Sequence, residues 1–174
     1  MLPEIKALIE HYKFAPLPVE STLFTSTYRS EQELENGMPI GTAIIAMYCN
    51  EPLSQSYFHK LTTDEVWHFY AGDPLRLVLL YPDGSSRDVI MGSNPLKGQV
   101  VQFVIPAGVW QAGHVLDGGK YSLFGNTMAP GFTDDMFEGG TREQLMDKYP
   151  DRADDITRLS CRSDNTRMPE GFAR

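Results

Sequence analysis

Apolar and polar residues alternate along most of the chain, in short runs that end at turn-forming residues such as those at 82–85. Alternation with a period of two is typical of strands that have one face in a core. The pattern predicts about nine strands with no helical run between them. They cover residues 23–28, 40–49, 56–61, 65–72, 74–81, 88–91, 99–105, 109–115 and 121–128. We therefore predict an all-β antiparallel sandwich or barrel.

Helical patterns flank this strand-rich region. Apolar residues recur every three or four positions over residues 3–12, which predicts a short N-terminal helix. Residues 141–144, Thr-Arg-Glu-Gln, have the form of a capping box at the start of a second helix, and a further helical turn is predicted around 156–159. We interpret residues 1–174 as a single domain with a barrel core at about 20–132 and a helical tail at 141–160.

Composition and charge exclude several classes of partner. The chain is 41% hydrophobic and has a formal net charge of −8 without any basic run, so we exclude nucleic acid as a partner. It has no apolar run of about 18 residues and no basic, apolar leader at its N-terminus, so we predict no membrane partner and a cytoplasmic location. Cys49 and Cys161 lie far apart without a Cys-x-x-Cys pattern, and we predict two structural thiols.

The residues with the most chemical potential lie on the third and fourth predicted strands. Alternation places Tyr57 and His59 on one face of the third strand, and Glu65, Trp67 and Phe69 on one face of the fourth. If the two faces point the same way, an imidazole and a carboxylate meet among aromatic rings. Carboxylates are seldom buried without a partner, so this pattern predicts a site.

The spacing of His59, Leu61, Glu65 and Gly72 resembles the first signature of the cupin superfamily, His-x-His, three or four residues, Glu, six residues, Gly. Leu61 stands at the position of the second His. Residues 106–111, Pro-Ala-Gly-Val-Trp-Gln, resemble the second signature, Pro-x-Gly-x-x-His, with Gln111 at the His position. Together with segments such as 18–20 and 129–132, they resemble a small single-domain cupin group of unknown function. The resemblance implies a jelly-roll barrel, the double-stranded β-helix, and a homodimer or larger homo-oligomer.

Cupins supply three His and one Glu to a metal, but here Leu61 cannot coordinate an ion and Gln111 does so weakly. We therefore predict no cofactor. If a metal were bound, its ligands would be His59, Glu65 and Gln111.

The arrangement is similar to that of metal-free sugar epimerases in the superfamily, in which a His removes a proton next to a carbonyl and a Tyr acts opposite it. The resemblance implies His59 as base, Glu65 as the group that orients it, and a catalytic tyrosine. Tyr57 shares the face of His59 and is the first candidate, while Tyr48 and Tyr121, on strands that could cross the mouth of the pocket, stay open as alternatives. The predicted pocket around a small-molecule ligand also contains Trp67, Gln111, Phe69, Tyr48 and Tyr121.

Several alternatives remain open from the sequence. His59 and Glu65 could form a buried ion pair without chemistry, or the chain could bind a small polar ligand without reaction. A metal-dependent oxygenase or isomerase is a more distant alternative. Arg29 and Arg76 are either anion-binding groups or exposed strand arginines. Glu20 belongs to the motif shared with the family and lies either at the pocket or at the dimer contact.

Overall fold

The computed structural model describes residues 1–162 and 164–173. Three short helices occur in this part of the chain: α1 (Pro3–Tyr12), α2 (Arg142–Lys148) and α3 (Ala153–Leu159). The strands are β1 (Ala15–Pro16), β2 (Leu23–Arg29), β3 (Thr42–Asn50), β4 (Leu53–Ser54), β5 (Ser56–Leu61), β6 (Glu65–Gly72), β7 (Leu75–Leu80), β8 (Ser86–Met91), β9 (Gln102–Ile105), β10 (Trp110–Val115), β11 (Tyr121–Met128) and β12 (Phe137–Gly139). Short 3₁₀ turns cover Pro95–Lys97, Asp134–Met136 and Pro150–Arg152.

The strands form two antiparallel sheets. The larger sheet has the order β1-β2-β3-β11-β6-β9, with β4 paired to β3, and the smaller has the order β12-β5-β10-β7-β8. The predicted all-β, jelly-roll architecture with short terminal helices is confirmed. The count of about nine strands was too low, because β1, β4 and β12 are only two or three residues long and too short to show alternation.

Apolar side chains from the inner faces of both sheets form the main core, and the helices cover the outer faces. Strand β3 is apolar on both faces for this reason. Its residues Ala46 and Tyr48 point into the core, whereas Met47 and Cys49 pack in a second cluster with Ile5 of α1. Helices α2 and α3 cover the smaller sheet in the same way. None of the helices in the described part of the chain has the length and apolar character needed to span a membrane.

The turn between β5 and β6 carries the chain from one sheet to the other. Asp64 in this turn accepts a hydrogen bond from the backbone N–H of Ala107 at 2.8 Å, and the backbone N–H of Gly108 donates to the carbonyl of Leu61 at 2.8 Å. The two predicted site strands therefore do not form a hairpin. Their inner faces look at each other across the space between the sheets, with His59 on one side and Glu65 on the other.

Candidate functional site

A cavity of about 190 Å³ lies between the two sheets. Most of its wall is apolar, and the polar groups at its buried end include Glu20, His59 and Glu65. Ser26 and Arg29, at the other end of the lining, are exposed to solvent. A mostly apolar cavity with a few converging polar groups is typical of small-molecule sites.

His59 forms an ion pair with Glu20 in this cavity. Its Nε2 lies 3.2 Å from Oε2 of Glu20, and its Nδ1 lies 2.8 Å from the backbone carbonyl oxygen of Tyr57. A carbonyl oxygen only accepts, so Nδ1 carries the proton of that hydrogen bond. Nε2 is therefore the ring nitrogen that faces the Glu20 carboxylate. Stacking on Phe137, with ring centroids 5.1 Å apart, fixes the imidazole plane. The predicted pairing of His59 with Glu65 is therefore wrong.

A row of buried hydroxyl groups holds the Glu20 carboxylate. The Thr22 hydroxyl donates to Oε1 of Glu20 at 2.6 Å and lies 2.7 Å from the Ser56 hydroxyl, which lies 2.5 Å from that of Tyr48. The Ser56 hydroxyl is also within reach of Glu20, donating to Oε1 at 3.1 Å, so two hydroxyl groups donate to this carboxylate oxygen. Burial raises the pKa of Tyr48 well above its usual range, so this side chain stays a donor.

The backbone around Glu20 is strained. Val19 and Ser21 have φ angles of 68° and 76°, in the left-handed region that residues other than Gly rarely adopt. The turn is closed by hydrogen bonds from the N–H groups of Glu20 and Ser21 to the carbonyls of Pro18 and Leu17. A β-branched residue at positive φ is an outlier that persists only where the surrounding structure fixes it, and such residues cluster at functional sites. The strain is thus consistent with a functional position for Glu20.

Glu65 faces His59 from the larger sheet and lies in a different environment. It is 8% exposed, and its Oε2 accepts a hydrogen bond from Nε1 of Trp67 at 2.8 Å. Burial, reinforced by the negative charge of Glu20, raises the pKa of Glu65 to about 7, although the charge of His59 and hydrogen bonds from Trp67 and Gln111 act in the opposite direction. Both protonation states of Glu65 are therefore populated near neutral pH.

Several predicted site residues lie outside the cavity wall. Tyr57 does not share the face of His59, because the pairing of β5 with β10 shifts register between Gln111 and Gly113. The ring of Tyr57 instead lies 5.5 Å from the guanidinium carbon of Arg162. Such a bulge interrupts strict alternation, which the sequence pattern assumed.

The remaining predicted pocket residues are divided between the cavity and the core. Trp67 lines the cavity, and Gln111 lies behind it, where its Oε1 accepts a hydrogen bond from Nε1 of Trp67 at 3.1 Å. Tyr48 and Phe69 belong to the core. Tyr121 lies on the outside of the sheet and donates to Glu4 of α1 at 2.8 Å. None of Tyr48, Phe69 and Tyr121 is among the described residues that line the cavity.

A segment near the C-terminus, to which the sequence patterns assigned no role, also contributes to the cavity wall. Met168, Phe172 and Ala173 line the cavity, and Phe172 packs against Phe24 with ring centroids 5.8 Å apart. Asp134 anchors the segment, because its carboxylate accepts hydrogen bonds from the N–H groups of residues 171 and 173 at 2.7 and 2.8 Å. The signal that could have identified it is the pair of apolar residues Met168 and Phe172 in a polar tail.

The donor set at the signature positions does not fit a metal ion. Leu61 lines the cavity with an apolar side chain, and oxygens of both Glu65 and Gln111 accept from the same Trp67 N–H. Within residues 1–162 and 164–173, no cluster of three or more His, Cys, Asp or Glu side chains is arranged to hold a metal. Three or four such ligands are the usual requirement.

Comparison with known proteins agrees with this architecture. The model of a family described as Cupin superfamily (DUF985) matches residues 6–139. The solved structure of a hypothetical protein from Leishmania major has a TM-score of 0.81 and 28% identity, covering 90% of this chain and 98% of that one. A protein from Shewanella oneidensis has a TM-score of 0.82 and 29% identity, covering 89% and 96% of the two chains.

Among curated proteins, an uncharacterized protein of Saccharomyces cerevisiae is 31% identical over 78 residues. The match covers 43% of this chain and 38% of the length of the yeast protein.

Proposed function

Since the chain belongs to the DUF985 family of the cupin superfamily, we propose from the chemistry of its own cavity that it binds a small carbonyl compound and transfers a proton on it. The observation that supports this most is the placement of two proton-carrying groups on opposite sheets. The pair of His59 and Glu20 lies on one side of the cavity, and Glu65 lies on the other.

The two groups differ in the way that acid–base catalysis requires. The imidazole of His59 lies beside the Glu20 carboxylate, which would stabilise its charged form, and the pKa of Glu65 is raised to about 7 by burial. Acid–base catalysis is most effective when the pKa of the group lies near the working pH. Titratable groups whose surroundings differ in this way mark the acid and the base of many enzymes.

The proposed reaction is isomerisation at a carbon next to a carbonyl. Ionised Glu65 removes a proton from that carbon, the electron pair moves onto the carbonyl oxygen, and the His59 imidazolium returns a proton from the opposite side. The reverse reaction begins with protonated Glu65 and neutral His59. Glu20 orients His59 and stabilises its charged form. We assign no step to a tyrosine, because none lies among the described residues that line the cavity.

Solvent hydrogen exchange tests the proposal. Wild-type protein in D₂O should exchange the hydrogens next to the carbonyl in small ketones, keto acids or monosaccharides, as followed by proton NMR. Glu20→Gln and Glu65→Gln should each slow the exchange at least about a hundredfold while still binding the ligand. Glu33→Gln, at an exposed position outside the cavity, is the matched control. Unchanged exchange in both site variants would exclude this mechanism.

A second candidate function is binding without reaction, which the mostly apolar wall of the cavity favours. It predicts a ligand-induced rise in melting temperature with every C–H bond of the ligand unchanged. Hydrogen–deuterium exchange on the ligand that is lost in the Glu65→Gln variant would exclude binding without reaction.

A homodimer is also part of our proposal. Tyr70, Val101 and Val104, on and next to the edge strand β9, are each about half exposed, and a second copy of the chain would cover such apolar side chains. Light scattering after size exclusion should give twice the chain mass of 19.5 kDa. A monomer at all concentrations would contradict this part of the proposal.

A further inference from the structure

One buried polar side chain in the cavity has no assigned role. Asn126 lies on β11, where it pairs with Ile44 of β3 and Trp67 of β6, and it lines the cavity. The residue is 5% exposed, and its Nδ2 has no hydrogen-bond partner among the described residues. A buried donor without a partner lowers stability, so its presence indicates a partner from outside the protein.

The sheet places Asn126 close to the groups that would transfer the proton. Residues directly opposite on antiparallel strands have Cβ atoms about 5 Å apart, and diagonal neighbours on the same face about 7–8 Å. Trp67 is directly opposite Asn126, and Glu65 is two residues further along the same strand face. An oxygen bound by Asn126 and a carbon that faces Glu65 can therefore belong to neighbouring atoms of one ligand.

An arginine at the exposed end of the cavity adds a second requirement. Arg29 lines the cavity and donates one hydrogen bond, at 2.8 Å, to the carbonyl of Phe132. Unlike Arg76, which forms ion pairs with Asp88 and Asp155, Arg29 has no carboxylate partner in the described part of the chain. Its remaining N–H groups are suited to a carboxylate or phosphate.

We propose that the ligand is a small carbonyl-containing anion whose charged group binds Arg29 and whose carbonyl oxygen accepts a hydrogen bond from Asn126. This assignment deepens the proposed function, on which it rests for the use of the cavity. A donor at the carbonyl oxygen stabilises the negative charge that develops there when the neighbouring carbon loses its proton. Cavity size limits the ligand: a cavity of about 150 Å³ holds benzene, so about 190 Å³ suits a short keto acid or sugar phosphate rather than a nucleotide.

Matched probes separate the two contacts. Calorimetric titration would compare α-ketoisocaproate with isocaproate, which lacks the ketone, and with methyl isobutyl ketone, which lacks the carboxylate. Dihydroxyacetone phosphate against dihydroxyacetone tests phosphate as the anion. Wild-type protein should bind one of the two keto anions at least about tenfold more tightly than its matched neutral ketone, and that difference identifies the anion. Wild-type protein should also bind α-ketoisocaproate more tightly than isocaproate, because only α-ketoisocaproate has a ketone oxygen for Asn126.

Three variants then assign the contacts. Asn126→Leu should lose the preference for α-ketoisocaproate over isocaproate, and Arg29→Gln should lose the preference for the anion. Glu33→Gln, at an exposed position outside the cavity, should keep both. Equal binding of all probes to the wild type, or an Asn126→Leu variant that keeps its preference, would overturn the proposal.

A structural role for Asn126 is distinguishable from ligand binding. Because its amide nitrogen is unpaired, Asn126→Leu should melt at the same temperature as the wild type or higher. A melting temperature several degrees lower would show that the amide supports the fold and would also overturn the proposal. Binding of the keto anion without hydrogen exchange would contradict the proposed catalysis but would leave this ligand assignment intact.

Discussion

Replacement of Glu65 by Gln tests the raised pKa of this carboxyl through the stability of the protein. Burial raises the pKa from 4.5 to about 7, a shift of about 2.5 pH units, and each unit corresponds to about 1.36 kcal/mol. The folded protein therefore holds a proton on Glu65 that the unfolded chain has already lost between these two values. In a pH range where the folded state binds more protons than the unfolded state, the free energy of unfolding falls as the pH rises.

The sign and size of the effect follow from this linkage. The contribution of protonated Glu65 to the free energy of unfolding is fully present below pH 4.5 and is lost as the pH rises through about 7. It amounts to about 3 kcal/mol in total, of which about 2.5 kcal/mol is lost between about pH 5 and about pH 8. A neutral Gln keeps an acceptor for the Trp67 N–H and does not titrate, so Glu65→Gln should lack this loss.

The assay is urea unfolding of both proteins across that pH range. The two should be similar in stability near pH 5, and Glu65→Gln should be the more stable protein at pH 8. Glu33→Gln, which changes an exposed carboxylate, should keep the wild-type pH dependence. If Glu65→Gln loses stability with pH as steeply as the wild type, the carboxyl is already ionised at low pH in the folded state and the argument for its acid–base role fails.

Three further predictions concern the strained turn, the cavity wall and the donor set. Ser21→Gly should raise the free energy of unfolding, measured in urea, by about 1 kcal/mol, because Gly adopts a positive φ without strain. Ser26→Gly, within β2, should lower it. A lower free energy of unfolding in both variants would show that the backbone at Ser21 is not strained. Asp134→Ala removes the acceptor that holds residues 171 and 173, and with it the anchor of this part of the cavity wall. Stopped-flow measurements should therefore show faster dissociation of the bound keto anion, whereas Asp135→Ala, at an exposed position, should leave the dissociation rate unchanged. Protein purified without chelator should contain substoichiometric metal by mass spectrometry; a stoichiometric metal that disappears in His59→Ala would refute our interpretation of the donor set.

Local patterns in the sequence were sufficient for most of the elements and for two of the residues that line the cavity, His59 and Glu65. The helical stripe over α1 and the alternation through β5 and β6 depend on neighbouring residues, so the sequence contains them directly. His59 and Glu65 could be placed at a site because the strands that carry them, and the turn between them, are short. The sequence also indicated that the site is enclosed, since both residues alternate with apolar ones.

The partners of these residues could not be predicted, because pairing across a fold depends on tertiary contacts. Glu20 reaches His59 from a loop far earlier in the chain, and only its resemblance to a family motif drew attention to it. Tyr57 was misplaced because a shift in strand register is not visible in a single strand. Asn126 had no signal at all, since a lone amide in an apolar strand is identified only when its missing partner is seen.

The pairing of His59 with Glu20 instead of Glu65 favours proton transfer across the cavity. Had His59 paired with Glu65, one acid and one base would have neutralised each other on one side of the cavity. Instead, hydroxyl donors and His59 stabilise the charge of Glu20, whereas Glu65 is desolvated among aromatic rings. The negative charge of Glu20 adds to the burial that raises the pKa of Glu65 to about 7, so the ionised form of Glu65 is a base suited to neutral pH. In the proposed reaction ionised Glu65 can then remove a proton on one face of a bound ligand while the His59 imidazolium, stabilised by Glu20, supplies a proton on the other face.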